Sequence, residues 1–161
     1  MPDSCALLAR LLLTNGWLMA TAESCTGGLI AATCTEMAGS SNWFERGFVS
    51  YSNAAKCELL GVDAALIDAH GAVSEPVVRA MAAGALAHSR AQVAVAVTGV
   101  AGPAGGSAAK PVGTVWLAWA TPTGVTSEVQ HFAGDRAAVR QATVHHALAR
   151  LAELIQTETP A

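Results

Sequence analysis

Charge is scarce in this chain. Asp, Glu, Lys and Arg make up 13% of its 161 residues, and Lys56 and Lys110 are its only lysines. Aromatic residues contribute 5%, with Tyr51 the single tyrosine. A net charge of −3 with no cluster of Lys and Arg excludes the basic footprint that a nucleic-acid partner requires. The four cysteines, Cys5, Cys25, Cys34 and Cys57, have neither CxxC spacing nor the nearby histidines of a zinc site, so no metal centre is expected. No apolar run reaches the ~18 residues of a membrane-spanning helix. Leu7 to Leu13 is apolar but interrupted by Arg10, and it lacks the basic flank and small-residue cleavage site of a secretion signal. Reduced thiols in a cytoplasmic protein are the expectation.

What remains is apolar, at 52%, and rich in alanine. The length suits one domain over residues 1–161, with its core at about 4–156, and no internal repeat or linker divides it. So few charges for the area favour a homo-oligomer, and the alanine-rich helix from Glu75 to His88 is a candidate interface.

Apolar spacing predicts a first helix over Ser4 to Asn15, closed by Gly16. A short strand follows over Trp17 to Ala22, then a polar turn and a helix over Leu29 to Met37. Phe44 to Ser52 has strand character, and Ala54 to Leu60 forms a helix stopped by Gly61. Leu66 to His70 adds a helical turn. Ser74-Glu75-Pro76 is a helix start. Gln92 to Val97 is a strand buried on both faces. Val112 to Ala120 and Val125 to Phe132 pair around Thr121-Pro122-Thr123-Gly124 as a hairpin. Asp135 caps the last helix, which runs through Ile155. Helices alternating with buried strands, plus one hairpin, give an α/β fold: a three-layer α/β/α sandwich around a mixed β-sheet.

Polar, glycine-bearing segments follow three of the strands, and in open α/β sheets such strand ends hold the ligand. The first is Glu23-Ser24-Cys25-Thr26-Gly27-Gly28, entering a helix whose N-terminal N–H groups suit an anion or oxyanion. Its glycines let a ligand approach the backbone, although the same residues also make an ordinary helix cap. The second, Tyr51-Ser52-Asn53-Ala54-Ala55-Lys56, holds the only tyrosine and one of the two lysines. The third runs from Thr98 and Gly99 through Gly102 and Pro103, with Gly105 and Gly106 beyond. Together they form the wall of one candidate pocket.

Six motifs in order carry a family resemblance: Ala22 to Gly28, Tyr51 to Lys56, Gly71 to Ser74, Thr98 to Pro103, Lys110 to Thr114 and Phe132 to Arg136. With these the chain, from about Leu7 to Leu154, resembles the CinA C-terminal domain family. Members of that family include stand-alone amidohydrolases of nicotinamide mononucleotide. The resemblance implies hydrolysis of that nucleotide's carboxamide to nicotinic acid mononucleotide and ammonia, without a cofactor or metal. It also implies a serine nucleophile, Ser24, assisted by Lys56, with Tyr51 nearby. An amide needs a nucleophile, a base that later protonates the leaving ammonia, and donors for the oxyanion.

Several assignments stay open on the residues alone. Lys56 is a base only if desolvation lowers its pKa; otherwise it is a solvated lysine or the ion-pair partner of Glu23. Lys110 is the rival base, better suited to a phosphate. The Tyr51 hydroxyl is a candidate proton relay between Ser24 and Lys56. Cys25, near a helix N-terminus, is the alternative nucleophile. Oxyanion donors are sought among Cys25 to Gly28 or at Thr98 and Gly99. Phosphate contacts are sought among the Gly102 to Gly106 backbone, Ser107, Lys110 and Arg140, with Arg136 one helical turn away. The histidines fall outside these motifs, and His145-His146 faces two directions of a helix. The alternative function is a non-catalytic nucleotide-binding or competence/damage-related regulatory module.

Overall fold

The computed structural model describes residues 2–158; Met1 and residues 159–161, the ends of the expected domain, lie outside the described residues. Five strands form one sheet: β1 (Met19–Glu23), β2 (Phe44–Val49), β3 (Val93–Gly99), β4 (Thr114–Thr121) and β5 (Gly124–His131). The order is β2-β1-β3-β4-β5. β2, β1 and β3 are parallel, and β4 and β5 add antiparallel to them. Helices α1 (Pro2–Asn15), α2 (Leu29–Thr35) and α6 (Arg136–Glu158) cover one face. The other face carries α3 (Asn53–Leu60), α4 (Ala64–His70) and α5 (Glu75–Ala87). The expected three-layer sandwich around a mixed sheet is present.

Period-two alternation sorts the central strands into two unlike faces. Met19, Val93, Val95, Val97, Val115, Leu117 and Trp119 meet α1, α2 and α6. Ala20, Ala22, Ala94, Ala96, Ala118 and Ala120 meet α3, α4 and α5. The alanine face lets α5 lie close to the sheet, with Val77, Val78, Met81, Ala82, Gly84 and Ala85 buried. The apolar side of this helix is thus spent inside the fold, and Arg79, Ala83 and Ala87 form its exposed side. At the α3–α5 contact Gly84 faces the Leu60 carbonyl so closely that a Cβ there would overlap the oxygen.

Local signals set the element ends. Gly61 closes α3 in the left-handed region (φ 69°), as its sequence position implies. Asp135 accepts the Ala138 N–H at 2.9 Å and starts α6. Ser74 precedes α5, but its hydroxyl donates to the Gly71 carbonyl at 2.8 Å rather than capping the helix. The hairpin is tighter than expected: Pro122 and Thr123 form the turn, and Val112 and Gly113 precede β4. Because the three parallel strands end together, the segments after Glu23, Val49 and Gly99 gather at one edge of the sheet. The chain leaves β1 for one face and β2 for the other, which opens the crevice there.

Gly84→Ala should lower the unfolding free energy by about 1–3 kcal/mol through overpacking, despite the better helix propensity of alanine. Urea denaturation would measure it, and an unchanged midpoint would contradict the packing described.

Candidate active site

The turn after β1 is built around Glu23. Its carboxylate is buried and accepts hydrogen bonds from Thr26 Oγ1 at 2.6 Å, the Ile30 N–H at 2.8 Å and the Ala31 N–H at 3.0 Å. The residue at the N-cap of α2 is Gly28 (φ 103°), which has no side chain to offer, so the carboxylate supplies the cap from five residues upstream. Gly27 (φ 56°) gives the preceding left-handed step. Arg140, reaching from α6, donates to the carbonyls of Cys25 at 3.2 Å and Thr26 at 3.0 Å. The Ser24 N–H donates to the Val97 carbonyl at 3.1 Å. Glu23, Thr26, Gly27 and Gly28 frame the turn and lie outside the lining of the cavity beside Ser24, while Arg140 lines the depression next to it. The first N–H groups of α2 are likewise taken, that of Leu29 by the Thr26 carbonyl and those of Ile30 and Ala31 by Glu23, and are not free for an oxyanion.

Cys25 and Ser24 point to opposite sides. The Cys25 side chain joins the core against α1, α2 and α6, and burial pushes its thiol pKa up to about 12. The helix N-terminus that would stabilise a thiolate is already occupied by Glu23. Burial thus outweighs the dipole, and Cys25 is not poised as a nucleophile.

Ser24 faces the other side of the sheet, where α3 presents Lys56. Ser52 caps this short helix by accepting the Ala55 N–H at 3.0 Å. Lys56 is 1% exposed, one of the largest fully buried side chains. Its Nζ donates to Ser24 Oγ at 3.1 Å and to the Tyr51 carbonyl at 2.9 Å. Burial holds the Lys56 pKa below the ordinary lysine value. The ion pair with Glu23 does not form, since that carboxylate is engaged at α2.

Tyr51 contributes its main chain to this pair, not its hydroxyl. The carbonyl accepts from Lys56 and, at 3.4 Å, from the Ser24 hydroxyl. The ring is 58% exposed, and its hydroxyl accepts from Arg136 Nη2 at 3.4 Å. A proton relay through the phenol is therefore corrected: the phenol is tied to α6.

These groups line a cavity of about 290 Å³ with Asn53, Thr98, Gly99, Gly102, Gly105 and Gly106. Its only charged lining residues are Lys56 and Arg136, both cationic. Thr98 Oγ1 donates to the Ala72 carbonyl at 3.0 Å, which docks the Gly71 to Ser74 segment as a wall. At Gly99 a Cβ would stand 2.7 Å from Val115 Cγ2 and 2.9 Å from the Thr114 carbonyl oxygen, so no side chain fits. Lys110 lies outside this lining: its Nζ donates to the His70 carbonyl at 2.9 Å, and its N–H to Ser107 Oγ at 3.0 Å. A second depression of about 670 Å³, walled by Pro103, Val112 and Arg140, shares Ala101 and Arg136 with the first.

Sequence reasoning ranked Arg140 above Arg136 and overlooked Ala72, Val73 and Val100 on the wall. The Gly71 to Ser74 motif was the signal for two of these. His146 lies against Glu128 at 2.9 Å, beside the Trp119 and Phe132 rings, away from Ser24. Among the described residues no group of three His, Cys, Asp or Glu could hold a metal ion, and no helix is long and apolar enough to cross a membrane.

Residues 3–155 match the CinA C-terminal domain family. The nicotinamide-nucleotide amidohydrolase PncC of Enterobacter agglomerans is 56% identical over 147 residues, covering 90% of each chain. The protein of that name from Pseudomonas putida is 60% identical over 134 residues, covering 83% of this chain and 84% of the other. The crystal structure of the competence/damage inducible protein CihA from Agrobacterium tumefaciens superposes with a TM-score of 0.90 at 48% identity, over 94% of this chain and 95% of that one.

A buried ammonium without a carboxylate partner destabilises the fold, and Lys56→Met should raise the unfolding free energy by on the order of 1 kcal/mol at neutral pH. Because the folded-state pKa is depressed, the unfolded chain holds the extra proton between the two pKa values. The gain should therefore shrink as pH rises toward the ordinary lysine value. Chemical denaturation at a series of pH values checks both statements, and a Met variant less stable than the parent would refute them.

Proposed function

The chain belongs to the CinA C-terminal domain family, and from that membership we propose that it hydrolyses nicotinamide mononucleotide to nicotinic acid mononucleotide and ammonia. The protein is a hydrolase of a carboxamide C–N bond, in line with relatives at 50–60% identity. The observation that carries a mechanism is the nearly buried Lys56 Nζ 3.1 Å from Ser24 Oγ.

In this reading Ser24 Oγ attacks the carboxamide carbon while neutral Lys56 takes the hydroxyl proton. The tetrahedral oxyanion calls for a backbone N–H beside the nucleophile, and Cys25, a lining residue of the cavity, supplies the one next in sequence. As the C–N bond breaks, Lys56 returns its proton to the leaving nitrogen, and ammonia departs. Water then attacks the acyl-serine, Lys56 accepts its proton and passes it to Ser24 Oγ as the ester C–O bond breaks, and the acid product leaves and ionises to the carboxylate. Desolvation makes this possible, because an ordinary lysine is almost wholly protonated at neutral pH. The Tyr51 carbonyl holds Nζ on the Ser24 side throughout. A binding module without turnover gives no reason to keep a costly buried ammonium against a hydroxyl. Four thiols without a disulfide support a cytoplasmic setting.

Ser24→Ala and Lys56→Ala should each cut ammonia release at least about 10³-fold with folding intact. Cys25→Ala keeps the backbone N–H and should retain at least about a tenth of the rate. A dead Cys25→Ala beside an active Ser24→Ala would reverse the assignment.

The acidic limb of the kcat/KM profile should report Lys56. The rate should rise with pH through a pKa below the ~10.4 of free lysine, as the ammonium loses its proton. Stopped assays of ammonia release across pH, with Lys56→Arg as an always-charged control, measure it. A flat profile would exclude lysine as the base.

A further inference from the structure

Arg136 is the one cation that walls both depressions. It is the first residue of α6, and its Nη1 donates to the Gly102 carbonyl at 2.9 Å. Its remaining contact, Nη2 to the Tyr51 hydroxyl, is long at 3.4 Å. No carboxylate pairs with it among the described residues. The other candidate phosphate cations stand apart from that border: Lys110, bonded to the His70 carbonyl, lines neither depression, and Arg140, bonded to the carbonyls of the Ser24 turn, lines only the second. A guanidinium fork with spare donors, between a cavity of about 290 Å³ and an adjoining one of about 670 Å³, suits an anion on a substrate that outgrows the first.

Tyr51 ties that cation to the reacting pair. Its hydroxyl rests on Arg136, while its carbonyl holds Lys56 Nζ and the Ser24 hydroxyl. We propose that Arg136 reads the phosphate of the substrate, and that phosphate binding is transmitted through Tyr51 to the Ser24–Lys56 pair. This rests on the amidase reading above and names how that site distinguishes a nucleotide from its nucleoside. A phosphate dianion competes for Nη2 and breaks the long contact to the phenol of the residue whose carbonyl holds Lys56 Nζ. Arg136 is then a substrate-contacting residue, and Tyr51 a positioning residue acting through its own main chain.

The test compares nicotinamide mononucleotide with nicotinamide riboside, its dephosphorylated form. Affinities are read by calorimetry in a Ser24→Ala background, and kcat/KM by ammonia release in the active one. Arg136→Ala should shrink the nucleotide-to-riboside ratio roughly 10- to 100-fold, the range for a hydrogen bond to a charged group, and Arg136→Lys should recover part of it. Arg140→Ala, which loosens the Ser24 turn, should lower turnover of both compounds alike and leave their ratio intact. Phosphite dianion added with the riboside should raise its turnover in the parent enzyme and not in Arg136→Ala or Tyr51→Phe.

A ratio untouched by Arg136→Ala would overturn the phosphate assignment, and phosphite activation surviving in Tyr51→Phe would overturn the coupling. If the parent releases no ammonia from either compound, the amidase reading fails. The calorimetric ratio still decides Arg136 in that case.

Discussion

The alanine-lined face of the sheet is the constraint on which the rest of the molecule hangs. On one side β1, β3 and β4 present Val, Leu, Met and Trp; on the other, at the alternate positions, they present six alanines, with Thr98, Thr114 and Trp116 toward the strand ends. A surface that shallow admits α5 at close range. Gly84 in turn admits α3 against α5. Only with α3 drawn in this far can Lys56 lay its methylenes in the interior and bring Nζ to the end of β1. A larger residue at Ala22 or Ala96 would push the helical layer outward, and the lysine would meet water before it met Ser24.

The second constraint separates the two charges that flank the nucleophile. Glu23 is adjacent to Ser24 in sequence, and Lys56 is adjacent in space. A direct salt bridge between them would favour the ammonium and oppose its use as a base. Strand alternation prevents it: Glu23 falls on the α2 side of the sheet and Ser24 on the α3 side. The carboxylate is instead neutralised by the N-terminus of α2, where hydrogen bonds from Ile30 and Ala31 hold it. Arg140 completes the support from behind the turn. Ser24 is thus held on a frame fastened to β3, α2 and α6, which limits the reorganisation left for the reacting step.

Much of this was legible in the chain. The near-continuous apolar run that made β3 a strand buried on both faces, the Asp135 cap and the Gly61 stop are all present, although β3 spans Val93–Gly99 where Gln92 to Val97 was expected. The three strand-end segments gather because their strands are parallel, which the helical crossovers imply. The roles inside the first segment were harder, because they depend on parity. Counting alternately from Met19, a core residue, puts Glu23 on the same face and Ser24 on the other, so the cap and the nucleophile were separable in principle. Which face carries α3 is a tertiary fact. The arginines failed for a related reason: Arg136 and Arg140 share a helix face, but about 6 Å of rise separates them. That distance sets one at the cavity and the other behind the turn.

The scarcity of charge also acquires a mechanistic sense. A histidine can serve as a base in a solvated cleft, since its pKa already lies near neutrality. A lysine cannot. It must be taken out of water and kept from carboxylates, and every additional charge nearby works against one of those conditions or the other. In this fold the cavity lining holds no acid, and the nearest one in sequence is bonded away. The other basic residue of the lining is Arg136, and an anion brought close to Nζ would favour the ammonium over the neutral amine. The phosphate is best held at Arg136, at the border with the neighbouring depression and away from Nζ. Recognition of the anion and neutrality of the base are compatible only if the two cations are kept apart, and placing one on α3 and the other on α6, on opposite faces of the sheet, achieves that.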